Sequence, residues 1–197
     1  MANAQITDVG TEVTNPTRST TYIETEDAGG TSGHGNLVNL IGNGYADYND
    51  AATSGTPISP TTSTWTQLTN DGAGTYTNTS YLPAGVTALW DTSTDQFDFS
   101  ELSLGDQVDI RFDLSITTTA SNQVARQRVQ FDIGGSPYTL EFDHKQVKTA
   151  GTYQIIKQVR FHMGNAGTIS NPGQWQIWSD ASSSVVVHGV YISVTRR

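Results

Sequence analysis

The chain has 197 residues, a net charge of −9, 15% charged residues and no cysteine, which suits one sizeable domain with an appendage and excludes disulfides and thiolate metal sites. The acidity is concentrated early: residues 1–88 hold eight acidic side chains and one basic, residues 89–197 eleven and nine. Neither half offers the clustered Lys and Arg that displacing counterions from a nucleic-acid backbone requires, and no apolar run approaches the ~18 residues of a membrane span. The N-terminal stretch lacks the basic and apolar regions of a secretory signal, so synthesis in a cytoplasm is the expectation.

Residues 1–35 are polar and turn-prone, and their isolated apolar side chains, Ile6, Val9, Val13, Tyr22 and Ile23, follow no sustained period. This predicts an extended N-terminal arm, ordered on a neighbour or left loose. The glycines from Gly29 to Gly35 read as a hinge. They are no phosphate cradle, because no strand precedes them and no Lys-Ser/Thr follows. Leu37–Ile41 reads as a short strand closed by the turn Gly42-Asn43-Gly44, so the folded domain is expected over 36–197.

Residues 42–88 suggest short strands near 63–69 and 74–82 between long loops. Asp47, Asn49 and Asp50 offer oxygens to a cation but lack the alternating ligand spacing with a distal Glu, and a solvated loop is the preferred reading. Beyond Val86 the pattern sharpens. Val108, Ile110, Phe112, Leu114 and Ile116 alternate with polar residues, which is a strand with one dry face. No helical stripe exists to cover that face, so a second sheet must.

A strand over 124–133, a turn at Gly134–Pro137 and a strand over 138–143 predict a hairpin with Val129, Phe131 and Ile133 on one side. In the strand at 152–163 the apolar pair Ile155-Ile156 suggests a bulge or a strand covered on both faces. Trp175, Ile177 and Trp178 begin the penultimate strand, and the β-branched run 185–194 supplies the end. The count of about eight strands predicts an all-β, antiparallel two-sheet sandwich of jelly-roll type.

Several chemistries are weighed on these residues. Asp109 with Asp113, and Glu141 with Asp143, share strand faces as glycosidase carboxylates do. Arg111 sits between Asp109 and Asp113 on that face, Arg126 and Arg128 share the outer face of the adjacent strand, and cross-strand ion pairing explains the charges without catalysis. The histidines, His34, His144, His162 and His188, have no metal-ligand spacing. No catalytic, cofactor-binding or metal-ligating residue is assigned. Trp175 reads as core, whereas Trp178 and Tyr191, near one another on a plausible strand pair, could stack against sugar rings.

The stretch from Leu89-Trp90 through Phe97-Asp98-Phe99 to Gly105-Asp106-Gln-Val-Asp-Ile, with the Trp175–Trp178 strand and the β-branched end, resembles the small jelly-roll modules of tailed-phage virions. These are capsid decoration proteins, head fibres and tail-fibre terminal domains. The resemblance spans roughly residues 86–197. It implies a homotrimer without catalytic residues, made in the bacterial host and located on the virion, whose partner is the major capsid protein or another virion protein. The arm residues Ile6, Val9, Val13, Arg18, Tyr22 and Ile23 are the docking candidates. The alternative is a fibre module that binds surface glycans through Trp178 and Tyr191.

Overall fold

The computed structural model describes residues 22–26, 32–36 and 42–197. The chain divides into two compact units, residues 1–40 and 41–197. In the first, β1 (Tyr22–Glu26) pairs antiparallel with β2 (Ser32–Asn36), Tyr22 opposite Asn36 and Glu26 opposite Ser32. This hairpin falls inside the segment read as an extended arm. Backbone groups alone can hold such a pair, so side-chain alternation does not announce it. The strand expected over Leu37–Ile41 lies outside the described residues.

The second unit runs β3 (Asn43–Asn49), α1 (Ala52–Gly55), β4 (Thr66–Gln67), β5 (Asn78–Tyr81), β6 (Trp90–Asp91), β7 (Gln96–Phe97), β8 (Gln107–Thr118), β9 (Gln123–Phe131), β10 (Tyr138–Val147), β11 (Gly151–His162), α2 (Ala166–Ser170), β12 (Gln174–Ser179) and β13 (Ser183–Thr195). One sheet has the order β10-β9-β12-β4, the other β11-β8-β13-β3-β5, and all pairings are antiparallel. Apart from β5 and the small β6-β7 hairpin, this is the eight-strand order of a jelly roll, in which successive strands mostly change sheets. The expected all-β sandwich of jelly-roll type is what the chain forms.

The apolar alternation of β8 points where the sequence says it should. Val108, Ile110, Leu114 and Ile116 are fully buried and Phe112 is 1% exposed, because β8 lies between β11 and β13 and turns this face to the other sheet. Trp175 and Ile177 meet it from β12. Aromatic rings knit the two layers together: Phe112 stacks on Phe142 with centroids 4.5 Å apart and tilts against Trp175 at 5.0 Å, while Phe97 links Trp90, Phe99 and Phe112. Edge-to-face and offset pairs of this kind add ~0.5–1.5 kcal/mol each beyond area burial.

Three local expectations need correction. β8 and β9 are not neighbours in one sheet, since the chain crosses between layers at 119–122. The Ile155-Ile156 pair marks neither a bulge nor double cover: β11 pairs with β8 without a shift, Ile155 is 3% exposed and Ile156 is 54% exposed on the outer face. The bulge occurs instead at Phe142, where the β9–β10 register slips between Glu141 and Asp143 and turns Asp143 inward. Finally, Ile133 lies beyond the end of β9. Asp132, at φ +57°, ends the strand, and its carboxylate accepts from Asn171 Nδ2 at 2.7 Å and from the backbone N–H of Ser136. A short polar side chain tolerates this left-handed backbone and hydrogen-bonds the turn it opens.

Candidate functional site

Of the docking candidates, Ile6, Val9, Val13 and Arg18 lie outside the described residues. Tyr22 and Ile23 lie on β1, opposite Asn36 and Gly35. The two glycan candidates do not come together. Trp178 is on β12 and Tyr191 on β13, strands of different sheets, and each faces away from the shared core. Two strands consecutive in sequence pair in a meander but separate in a jelly roll, which is why proximity along the chain misleads here.

On the outer face of the β10-β9-β12-β4 sheet, Trp178 is covered. The Arg126 guanidinium sits 5.5 Å from the ring centroids of both Trp178 and Trp65, and Arg128 sits 4.1 Å over Trp65. Arg126 is fixed by a bidentate pair with Glu141, Nε and Nη2 each 2.6 Å from a carboxylate oxygen, and this bond raises the guanidinium pKa. Arg128 Nε donates to Gln176 Oε1 at 2.8 Å. The face is a cation–π and hydrogen-bond lattice, and the Trp planes that a sugar would need are engaged by arginine.

On the outer face of the other sheet, Tyr191 stands in an aromatic row, 5.4 Å from Tyr45, which stacks on Tyr81 at 5.1 Å. Arg111 lies 5.5 Å from the Tyr191 ring. Burial raises the Tyr191 phenol and, against the pull of Arg111, the Asp47 carboxyl. Beside this row lies a recess of about 280 Å³ lined by Asp47, Asn49, Tyr76, Arg111, Asp113 and His188. Tyr76 is 79% exposed, and Ser115 Oγ meets His188 Nε2 at 2.7 Å.

The paired carboxylates have structural partners: Arg126 holds Glu141 by the cross-strand pairing read from the sequence, but the partners of Asp109 and Asp113 are not the arginines expected. Arg126 and Arg128 sit in the other sheet from Asp109 and Asp113. Asp109 instead receives Gln158 Nε2 at 2.8 Å and Arg160 Nη2 at 2.9 Å from β11, and Asp113 receives Gln154 Nε2 at 3.2 Å. The oxygens weighed for a cation are also engaged: Asp47 accepts from Asn49 Nδ2, and Asp50 from the backbone and hydroxyl of Thr53. Among the described residues no group of three or more His, Asp or Glu side chains could hold a metal ion, and no helix is long and apolar enough to cross a membrane.

The remaining feature was invisible in the sequence. β10 and β11, long edge strands of opposite sheets, lie along the same side of the sandwich. Between them is a cavity of about 410 Å³ lined by Asp143, His144, Lys145, Gln154, Ile156 and Lys157. A recess of about 380 Å³ lies on the same side, lined by Tyr138, Leu140, Phe161 and His162. A polar chain runs from this side into the core. Lys157 Nζ pairs with Asp143 Oδ1 at 2.9 Å, Gln127 Nε2 donates to Asp143 Oδ2 at 3.1 Å, and Trp175 Nε1 donates to Gln127 Oε1 at 3.1 Å. The Phe142 bulge makes this possible by turning a carboxylate toward the interior, where Gln127 meets it. Leu140, Phe142, Val159 and Phe161 along this side remain only partly buried.

No family model matches the chain, and no curated protein matches it. Solved structures similar to it include PRD1 vertex protein P5, at TM-score 0.38 and 14% identity over 89% of this chain and 81% of that one. The Eiger TNF from S. frugiperda gives TM-score 0.42 and 6% identity, over 79% of this chain and 93% of that one. The infectious bursal disease virus Gt strain gives 0.39 and 9%, over 90% and 38%. Two of the three are virion proteins. All three likenesses fall below TM-score 0.5, and the jelly roll is assigned here from strand order and register.

Proposed function

We propose that this chain is a non-enzymatic structural protein of a virion, decorating or cementing a phage capsid as a homotrimer and anchored in part by its N-terminal segment. The observation that carries the reading is a division of labour. A jelly-roll unit over 41–197 holds its carboxylates in structural hydrogen bonds and ion pairs, and residues 1–40 form a separate unit. The likeness of residues 86–197 to phage virion modules supports it. A segment that orders on a lattice meets its entropy cost only on binding and can cover a large surface. The partner is then the major capsid protein or another virion protein, met through Ile6, Val9, Val13, Arg18, Tyr22 and Ile23.

The test is co-sedimentation of the full chain with undecorated phage capsids, beside a variant with Ile6, Val9 and Val13 each changed to Asp. Binding by the first and a loss of about tenfold or more in the second supports the reading, since each buried aliphatic side chain contributes ~1.5–3 kcal/mol. A full chain that leaves capsids bare refutes it.

A second reading, glycan binding by a fibre module, is favoured by the recess beside Tyr191, where the exposed Tyr76 meets an arginine, carboxylates and a histidine. It requires Tyr191 rather than Trp178, whose ring Arg126 overlies. Glycan-array binding lost in Tyr191→Ala and Tyr76→Ala but kept in Trp178→Ala would favour it over decoration. An empty array removes it.

A further inference from the structure

The charges of the folded unit are sorted between the two sides of the sandwich. Residues 144–162, covering the last four residues of β10 and all of β11, hold Lys145, Lys148, Lys157 and Arg160 with two histidines and no acidic residue; these are the only lysines in the protein, and the two acids earlier in β10, Glu141 and Asp143, are paired with Arg126 and Lys157. Residues 42–95, which supply β3, β5 and β4 at the opposite side, hold Asp47, Asp50, Asp71, Asp91 and Asp95 and no Lys, Arg or His. Asp50, Asp71, Asp91 and Asp95 lie close enough for the other three to raise the Asp95 carboxyl, after burial, by repulsion.

Apolar exposure is sorted onto the same two sides. Among the described residues five large hydrophobic side chains are exposed, and four of them fall there: Tyr138 and Ile156 on the basic side, Tyr76 and Tyr81 on the acidic one. Edge lysines also deter strand-to-strand aggregation on the long β10 and β11; the opposite edge, β5, is four residues long with a register shift against β3 and carries no lysine.

We propose that copies of this chain associate head to tail, the basic β10–β11 side of one docking against the acidic β3–β5 side of the next. The occupant of the partly covered Leu140, Phe142, Val159 and Phe161 side is thus a second copy. Opposite charges on opposite sides favour this heterologous contact and disfavour a two-fold one, which would set Lys145 and Lys148 of two copies against each other. A heterologous contact closes into a ring when its rotation allows. The inference does not rest on the capsid reading, because it concerns only what one copy does to another.

The test is the solution mass of the full chain at about 0.1 M and about 1 M salt, between which the screening length falls from about 10 Å to about 3 Å. A multiple of 21.2 kDa that dissociates toward 21.2 kDa as salt rises is expected. Lys145→Glu with Lys148→Glu should weaken association about tenfold or more. Thr79→Lys with Ser80→Lys, at exposed positions of β5, should do the same, and all four together should restore it. A 21.2 kDa species at every concentration at about 0.1 M salt overturns the proposal. So does a multimer indifferent to the β5 lysines, which would mean that basic sides meet each other.

Zero-length carbodiimide cross-linking of mixed isotopically light and heavy wild-type protein gives an independent readout that no misfolded variant can confuse. Lys145 or Lys148 should join an acidic residue of 42–95 from the other copy. Joining to an acid of residues 1–41 within one chain would show that the N-terminal segment is the occupant, and would overturn the proposal.

Discussion

Gln127→Leu isolates the polar chain that links the core to the β10–β11 side. Gln127 is 1% exposed and serves two partners at once, accepting from Trp175 Nε1 and donating to Asp143 Oδ2, each at 3.1 Å. Leucine fills similar space but answers neither. The indole N–H, a donor with no other role, is left unpaired at a cost of ~1–3 kcal/mol. Asp143 keeps Lys157 at 2.9 Å, so its share falls at the low end of the same range. Subtracting ~1 kcal/mol for added apolar burial leaves a net loss of about 1–3 kcal/mol. For a domain of this size that lowers Tm by about 2–12 °C. Urea unfolding of dilute protein at high salt reads the loss without a contribution from association. Adding Trp175→Phe removes the orphaned donor, so the double variant should lose at least about 1 kcal/mol less than the two single losses combined. A single-variant loss below ~0.5 kcal/mol, or additive losses in the double variant, would refute the account of this chain as a satisfied buried network.

Phe112→Ala removes the ring that touches Phe97, Phe142 and Trp175, and should cost about 3–5 kcal/mol, read as a lower urea midpoint with an unchanged slope. Asp95 behaves in the opposite sense. Burial and then the neighbouring carboxylates raise its pKa, so the native state binds a proton more readily than the unfolded chain and stability falls as pH rises through the carboxylate range. Asp95→Asn can still accept the Asn70 N–H, and its Tm should exceed that of the parent near pH 7 and converge with it in acid; a variant less stable near pH 7 would contradict this. Glu101 is held below its ordinary value first by the Thr87 N–H, so its contribution is present above the unfolded pKa and lost as pH falls through the lower folded one. Glu101→Gln should therefore lower Tm near pH 7, by the ~1 kcal/mol or less expected of an exposed hydrogen bond, and leave the acid limb unchanged.

How much of this was legible beforehand follows from which forces are local. Period-two alternation marked β8 and its dry face, the Gly134–Pro137 turn marked the β9–β10 hairpin, and Trp175 read correctly as core, because side-chain direction in a strand is fixed by position along it. Charge totals and the absence of cysteine likewise needed no structure.

Partnership did not follow from pattern. Alternation says that a strand has a buried face but not which strand lies beside it, so Asp109 was matched with arginines of β9 when Arg160 and Gln158 of β11 hold it. Trp178 and Tyr191, thirteen residues apart, were set side by side when the chain crosses from one sheet to the other between them. The bulge at Phe142, which turns Asp143 inward, leaves no mark on composition because it arises from register against β9. The sorting of basic and acidic residues to opposite sides became visible only when two edge strands of different sheets came to lie together. A sequence constrains each strand's own two faces through local stereochemistry, whereas neighbours and edges are set by the closing of the two layers over one core, a sum of contacts between residues far apart in the chain.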